Sequence, residues 1–402
     1  MSSTTELSVM RRDRTDRGAP PRTRFDKFPR GPVARWMLRL ALSAPLVLLA
    51  LLLSTGDALV GTPNADLVAS LADIDWSRGD AEWLALLYPH VSIMLAAANP
   101  FGRLGLSIMG AIAAGFLLQK VAEIIAQRAI PRSTGIILVI ALAANPLFAY
   151  FALEDLPGFL ALTFFGLALG DIVRFVNWGN TESGFRGGIL IMLAAFSDPS
   201  GILYAAIIVL ASPFLRHGRA AASGLRAAAS GLRAANMLVI AFPTLGAFAT
   251  IAFLNVLFFG TPWPTTDVLS IIGGIGPAIP ELVSLYTTPA GWLIAAPLAS
   301  AWLVALIVRR PKSIVVSTIV FLLLNVAFLL GAFHPGAAGT TFALLTLLAI
   351  ALIPAARTIT TNVLVDLVAV LQIAIAWRAA FDRPIVLDWM QSVTDAWTTF
   401  VG

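Results

Sequence analysis

The sequence predicts an all-α polytopic membrane protein with about eleven transmembrane helices. Of its 402 residues, 58% are hydrophobic and only 12% are charged, about half the charged fraction of soluble domains. Apolar runs of about 18–20 residues recur along the chain, which is typical of a protein with several spans. Because the bilayer core offers backbone groups no hydrogen-bond partner, these runs must be helical.

The distribution of basic residues supports this count of spans. With the N-terminus in the cytoplasm, 23 of the 27 Lys and Arg residues fall on the cytoplasmic side, as the positive-inside rule requires. Losing or gaining one span would destroy this one-sidedness. The C-terminus is then extracytoplasmic, and we expect a multi-pass protein of a bacterial inner membrane. The expected spans are 40–55, 104–121, 134–151, 157–173, 186–197, 200–215, 236–257, 291–308, 313–331, 340–355 and 360–377.

The chain divides into a tail and one membrane domain. Residues 1–35 are rich in Arg, Pro and Asp and lack apolar periodicity, so we expect a disordered basic cytoplasmic arm that binds anionic lipids. Residues 36–402 form the membrane domain, with a retained first span. The basic inside loop 216–235 repeats a seven-residue unit and is expected to be a lipid-surface helix or a flexible loop. Because the basic residues face one side of a membrane, we do not expect nucleic acid as a partner.

Composition excludes several kinds of chemistry. Cysteine is absent, so the chain has no disulfide, thiolate catalyst or Cys-ligated metal. No phosphate-binding nucleotide loop is present: the "IGGIG" run lacks the preceding strand and following helix of a dinucleotide fingerprint. Only three His are present, and they do not form a ligand cluster, so no metal site is predicted.

Two long segments, 56–103 and 258–290, are expected outside. The first is unusually acidic for this chain and contains short interfacial helices. Thr62 and Pro63 begin a helix as N-cap and first helical residue. On it Leu67, Leu71 and Ile74 share one face by their spacing, so we expect an amphipathic helix that lies on the membrane. The carboxylates of this loop are Asp57, Asp66, Asp73, Asp75, Asp80 and Glu82.

Two of these carboxylates are the preferred catalytic candidates. Asp66 comes early, close to the end of the first span and on the polar face of the expected helix, and Asp73 shares that face. The alternative for both is a solvated carboxylate on an outside loop, which is the common case. A carboxylate that reaches an acceptor hydroxyl can act as a general base, so Asp66 comes first and Asp73 second.

Candidates for substrate binding come from the same side of the membrane. Arg103 begins the second span and could bind a phosphate or simply anchor to lipid headgroups. His334, in "AFHPG", lies where a phosphate could arrive, although a loop His is often incidental. Tyr88 and His90, in "LYPH", are further candidates. The adjacent Glu154 and Asp155 have two interpretations, helix capping or chemistry, because acids favour helix N-termini.

The order of these features resembles the GT-C superfamily of membrane glycosyltransferases. The first span is followed by the long outside loop "TPNADLVASLADIDW", then by "LYPHVSIMLAA" and "NPFGRLGLSIMGAIAAG". The paired spans "ANPLFAYFALEDLPGFLALTFFGLALG" and "SGFRGGILIMLAAFSDPSGILYAAIIVLASP" follow, and later the turns "LNVLFFGTPWP" and "AFHPGAAGTTF". The resemblance covers most of the chain. It departs from the family where Asn64 and Ala65 precede Asp66, since many relatives have adjacent acids there.

The resemblance implies an inverting glycosyltransferase that uses a polyprenyl-phosphate sugar as donor. Asp66 would be the general base, Arg103 or His334 would stabilise the leaving phosphate, and the lipid tail would lie between spans. The resemblance leaves room for a divalent metal but does not require one. Two alternatives stay open: a non-catalytic GT-C-like subunit that holds a membrane protein partner or a lipid carrier, and a lipid or solute transporter, which would show interrupted spans with polar groups in mid-membrane.

Overall fold

The computed structural model describes residues 28–54, 61–72, 74, 88–126, 132–178, 180–214, 226–263, 268–330 and 359–401. All regular secondary structure in these ranges is helical. The α-helices there are α1 (Pro32–Leu53), α2 (Pro63–Ala72), α3 (His90–Ala97), α4 (Gly102–Ala126), α5 (Arg132–Ala143), α6 (Pro146–Glu154), α7 (Leu156–Trp178), α8 (Thr181–Ser197), α9 (Ser200–Ala211), α10 (Arg226–Phe259), α11 (Val268–Thr287), α12 (Pro289–Ile307), α13 (Pro311–Leu329), α14 (Ile359–Phe381) and α15 (Pro384–Val401).

The prediction of a polytopic helical membrane protein is confirmed, whereas the count of eleven spans is not. By length and composition, six helices in the described ranges can cross a membrane: α1, α4, α7, α10, α13 and α14. A seventh span results if α5 and α6 count as one. The expected spans 186–197 and 200–215 correspond to α8 and α9, which have only 17 and 12 residues. The expected span 340–355 lies outside the described residues.

The expected span 134–151 is broken into α5 and α6, which meet at a bend of 52°. Asn145 stands at the break, and its side-chain oxygen accepts hydrogen bonds from the backbone N–H groups of Leu147 and Phe148. Pro146, which follows, has no N–H to continue the preceding helix. The Asn-Pro pair therefore ends α5 and starts α6 in a new direction. Helix α6 ends at Glu154, three residues beyond the expected end of the span at residue 151.

Helix α4 lies at the centre of the first half of the chain, packed against α1, α6 and α7. Its buried Leu106, Leu117 and Leu118 belong to the main apolar core. Small residues set the spacing: a Cβ at Gly110 would collide with the carbonyl oxygen of Ala152, and one at Gly115 with the Ser43 hydroxyl. Such small residues let helix backbones approach closely in membrane proteins.

Helix α2 begins as the sequence predicts, but its surroundings differ from the expectation. The hydroxyl of Thr62 accepts a hydrogen bond from Ala65 N at 3.4 Å, which confirms the N-cap. We expected its apolar face to lie on the membrane. Leu67 and Ile74 are instead buried in the protein core, with Leu71 packed against it. The helix is covered by α3, α4, α6 and α7, because these apolar side chains find protein neighbours in place of lipid.

The helices of the first half run alternately between two poles. At one pole the end of α6 meets the start of α7, and the end of α8 meets the start of α9. We call it the buried-acid pole, after the buried Glu154, which lies there with the half-buried Asp155 and Asp198. At the other lie the far ends of α4 and α7 and the start of α8. We call this the ion-pair pole, after Glu123, Asp171, Arg174 and Arg186.

The remaining segments contain more helix than the sequence indicated. Segment 258–290, expected to be an outside loop, contains α11 despite Pro277 and Pro280. Helix α10 begins at Arg226, inside the basic segment 216–235, and runs without interruption to Phe259. The C-terminal helix α15 buries Val386, Trp389 and Ala396 against the rest of the protein. The proposed arm lies largely outside the described residues, and α1 already begins at Pro32.

Candidate functional site

The candidate site surrounds the break between α6 and α7. Glu154 is the last residue of α6, Asp155 follows it in a non-helical conformation, and α7 begins at Leu156. The Oδ1 atom of Asp155 accepts a hydrogen bond from Gly158 N at 3.0 Å. The capping role expected for this residue is therefore confirmed. The chain thus places two adjacent acids where one helix ends and the next begins.

Asn64 fastens α2 to this break. Its side-chain nitrogen donates to the carbonyl oxygen of Leu153 at 2.8 Å, and its side-chain oxygen accepts from Leu156 N at 2.8 Å. Asn64 is completely buried. Asn64 thus supplies the partner of Leu156 N, a backbone group that the start of a helix leaves free, and it shares the Leu153 carbonyl with the Ser107 hydroxyl, which donates to it at 2.7 Å. The two bonds of Asn64 also fix the position of Asp66, whose side chain is exposed two residues later on α2.

Glu154 forms a buried ion pair with Arg103. The Arg103 Nη2 atom lies 2.7 Å from Oε2 of Glu154, and the two side chains are 23% and 4% exposed, respectively. Thr62 and Trp389 also lie beside this carboxylate. The pair connects the start of α4 with the end of α6, and it neutralises Arg103, the residue expected to bind phosphate.

Asp198 lies in the turn between α8 and α9, close enough to Asp155 for the two charges to interact. Its Oδ1 atom accepts from Ser200 N at 2.8 Å. Burial and, after it, the charge of Asp198 together raise the pKa of Asp155 to about 7, while the Gly158 N–H opposes the shift. Burial also raises the pKa of Asp198, and the hydrogen bond from Ser200 N opposes the shift. The charge of Asp198 therefore makes ionisation of Asp155 more costly.

Two buried hydroxyl groups complete this cluster. Ser200 and Tyr204 lie on the first turns of α9, and Tyr204 is near both Asp155 and Asp198. The two side chains are neighbours, but their geometry does not make a hydrogen bond, and neither hydroxyl oxygen has another partner. An unpaired buried hydroxyl is costly, so these groups are available to a ligand.

Tyr88 and His90 form an aromatic corner next to Asp198. The Tyr88 hydroxyl donates to the Ala195 carbonyl at 3.1 Å, and the His90 ring packs edge-on against Phe196 at 5.4 Å. Burial lowers the pKa of His90, and burial with the charge of Asp198 raises the pKa of Tyr88. Both side chains are therefore neutral at pH 7, and they attach α3 to α8.

Asp66, Tyr88, His90 and Arg103 therefore all lie at the buried-acid pole, at or before the start of α4. Their proposed chemical roles stay predictions. Asp73 and His334 lie outside the described residues.

Sequence reasoning missed the partnership of Asp155 with Asp198 and the structural role of Asn64. The available signals were the acidic pair at 154–155 and the Asp-Pro at 198–199, each at an expected turn on the same side of the membrane. Among the acids expected on that side after the first loop, only Glu154, Asp155 and Asp198 lie in short turns between adjacent spans, so these two turns were a candidate pair.

Within the part of the chain that the structure describes, no group of three or more His, Asp or Glu residues is arranged to hold a metal ion. No family model, curated protein or solved structure matches this chain.

Proposed function

We propose that the chain is a GT-C-like membrane glycosyltransferase with about eleven spans. In this proposal it transfers a sugar from a polyprenyl-phosphate donor to an acceptor at the extracytoplasmic face of a bacterial cytoplasmic membrane. The observation that carries the proposal is the position of Asp66. Its carboxylate is exposed, yet the helix that bears it is fastened to the buried break by both hydrogen bonds of Asn64.

This combination suits a general base. The base must reach the acceptor hydroxyl, which requires exposure, and must be held in place, which requires a rigid backbone. Asp66 would take the proton of the acceptor hydroxyl while its oxygen attacks the anomeric carbon. The bond from that carbon to the phosphate oxygen breaks, and the polyprenyl phosphate leaves with the electron pair. Asp73 is the second candidate for the same role.

The leaving phosphate needs a cation in this mechanism. Arg103 reaches it only if the ion pair with Glu154 opens or if the phosphate adds to that pair, and His334 is the other predicted contact. Tyr88 and His90 would line the donor side through their rings, since the Tyr88 hydroxyl is already bonded to Ala195.

The test is sugar transfer by the purified protein in nanodiscs, supplied with a panel of radiolabelled polyprenyl-phosphate monosaccharides. Asp66→Asn is expected to lower the rate by roughly 10²-fold or more, the usual contribution of a general base. Ser70→Ala is the matched control, because Ser70 is exposed one turn further along α2. Both variants should keep the wild-type unfolding temperature. Wild-type turnover by Asp66→Asn would refute the assignment.

A second candidate function is a non-catalytic GT-C-like subunit with a membrane protein partner. The Arg103–Glu154 pair favours it, because the charge expected to receive the phosphate is already neutralised within the protein. Isolation of the native assembly in mild detergent separates the two proposals. A subunit would co-purify with its partner, and its Asp66→Asn variant would leave transfer by that assembly unchanged.

A further inference from the structure

The C-terminal helix α15 is the most strongly amphipathic of the described helices. Apolar side chains recur along it every three or four residues and therefore form one stripe. The stripe consists of Val386, Trp389, Val393, Trp397 and Phe400. Asp388 and Asp395, the only charged residues of the helix, are exposed and lie on the opposite face. The helix thus has one apolar face rich in aromatic rings and one polar face.

The protein core covers only the first part of this stripe. Val386 is fully buried, Trp389 is 3% exposed, and Val393 packs against the main core. The Trp389 ring meets the Tyr150 ring of α6 edge-on, with 6.1 Å between the ring centroids. Because Tyr150 lies one turn before the end of α6, this contact attaches α15 to the protein at the buried-acid pole.

The last turn of α15 continues the stripe beyond the core. Trp397, Phe400 and Val401 are 56%, 71% and 65% exposed, respectively, and the centroids of the two rings lie 6.3 Å apart. Together these three side chains expose on the order of 400 Å². A specific protein interface buries about 800 Å² on each partner, so this patch is too small to form one by itself.

The place of α15 in the chain points to lipid as the cover. Helix α14 can cross a membrane and ends at Phe381, and α15 follows it after only Asp382 and Arg383. Helix α15 itself is not among the helices that can cross a membrane. An amphipathic helix that does not span, with Trp and Phe on its apolar face, is typical of one that lies in the membrane–water interface, where Trp is enriched.

We propose that α15 binds the membrane surface at the buried-acid pole, with Trp397, Phe400 and Val401 inserted between the lipid headgroups and the ends of the acyl chains. The core then holds the first turns of the helix, and the bilayer holds its last turn. The polar face carries two acids and no Lys or Arg, so burial of apolar area holds the helix there, and attraction to anionic lipids does not contribute. This binding is independent of glycosyl transfer and requires no role of Asp66.

The chain has no Cys, so a single cysteine introduced on α15 can carry a nitroxide spin label. The full-length protein is reconstituted into phosphatidylcholine vesicles, and the collision rates of each label with O₂, which partitions into lipid, and with a water-soluble nickel chelate are measured. For Trp397→Cys and Phe400→Cys, the ratio of O₂ to nickel collisions should be several-fold higher than for the controls Asp388→Cys and Asp395→Cys. The first two labels should lie about 5–10 Å below the lipid phosphates.

Each labelled variant removes only one side chain of the patch, so the other ring still holds the helix in place. An equimolar mixture with phosphatidylglycerol should leave the collision ratios unchanged, because the polar face has no cation. Preferential access of the nickel chelate to the labels at positions 397 and 400 would mean that the patch faces water. Low access of both reagents would mean that a second copy or another protein covers it. Either result overturns the proposal, and a label depth that changes with phosphatidylglycerol overturns its apolar basis.

Discussion

The two poles of the helical bundle treat acidic residues in opposite ways. At the ion-pair pole, Asp171 receives two bonds of 2.7 Å from Arg186 and lies 3.4 Å from Arg174. Glu123 is paired with Lys120 at 2.9 Å. At the buried-acid pole only Glu154 has a cationic partner in the described structure, while Asp155 and Asp198 have none.

The acids of the ion-pair pole stabilise the fold through their cationic partners, whereas Asp155 and Asp198 gain no such stabilisation. Paired acids connect helix ends at a moderate gain. Asp155 and Asp198 are half-buried and have no cationic partner in the described residues, and ionisable groups with perturbed pKa values are concentrated at functional sites. The buried-acid pole also carries Asp66 and the aromatic corner, so it is where chemistry and ligand binding are expected. Four experiments test this difference between the poles.

The largest effect is expected from Arg103→Gln at the buried-acid pole. It leaves Glu154, whose side chain is only 4% exposed, without a cation in a buried position. Removing one partner of a buried pair costs about 3–5 kcal/mol, which a denaturant or thermal unfolding series would measure. The double variant with Glu154→Gln should recover part of this loss. If the double variant is as unstable as the sum of the single ones, the pair does not interact as described.

The second effect is a dependence of stability on pH that arises from the unpaired acids. The pKa of Asp155 is about 7 in the folded protein and 3.8 in the reference state. Between these values the folded state binds more protons than the unfolded one, so stability falls as the pH rises. The full loss is at most about 4 kcal/mol. It is measured by denaturant or thermal unfolding between pH 4 and pH 8.

Matched variants assign this pH dependence to its source. Asp155→Asn should flatten the fall in stability between about pH 4 and 7. Ser70→Ala, which removes no titratable group, is the control and should keep the wild-type slope. An unchanged slope in Asp155→Asn would mean that the acid is ionised throughout this range, and the contrast between the poles would be lost.

The sequence predicted local features of this pole better than its long-range contacts. The Thr62 cap and the apolar face of α2 follow from spacing of a few residues, and both are present. The meeting of Asp155 with Asp198 depends on how four helix ends pack together. Asn64 looked like a departure from an acidic motif, and its role depends on backbone groups about 90 residues away. Such contacts have no local pattern.

The third effect tests Asn64 directly. Asn64→Asp keeps the size of the side chain and the acceptor for Leu156 N, but it replaces the donor to the Leu153 carbonyl with an oxygen. The Leu153 carbonyl keeps the Ser107 hydroxyl as a donor at 2.7 Å, but the new carboxylate oxygen is buried beside that carbonyl without a donor. We expect a loss of about 2 kcal/mol, the scale for a buried polar group without its partner. Ser70→Ala, on the exposed face of the same helix, should lose less than about 0.5 kcal/mol. Equal stability of both variants would mean that α2 is not fastened at this point.

The smallest effect is expected from Arg186→Gln at the ion-pair pole. The Arg186 side chain is 46% exposed, and Asp171 keeps Arg174 as a second cation when it is lost. The expected cost is therefore about 1 kcal/mol or less, and it should shrink further in 1 M salt, where charges are screened within about 3 Å. The cost of Arg103→Gln should persist in the same salt, because burial protects that pair from screening. A cost of Arg186→Gln equal to that of Arg103→Gln would remove the distinction between the poles, since both would then hold acids by equally buried pairs.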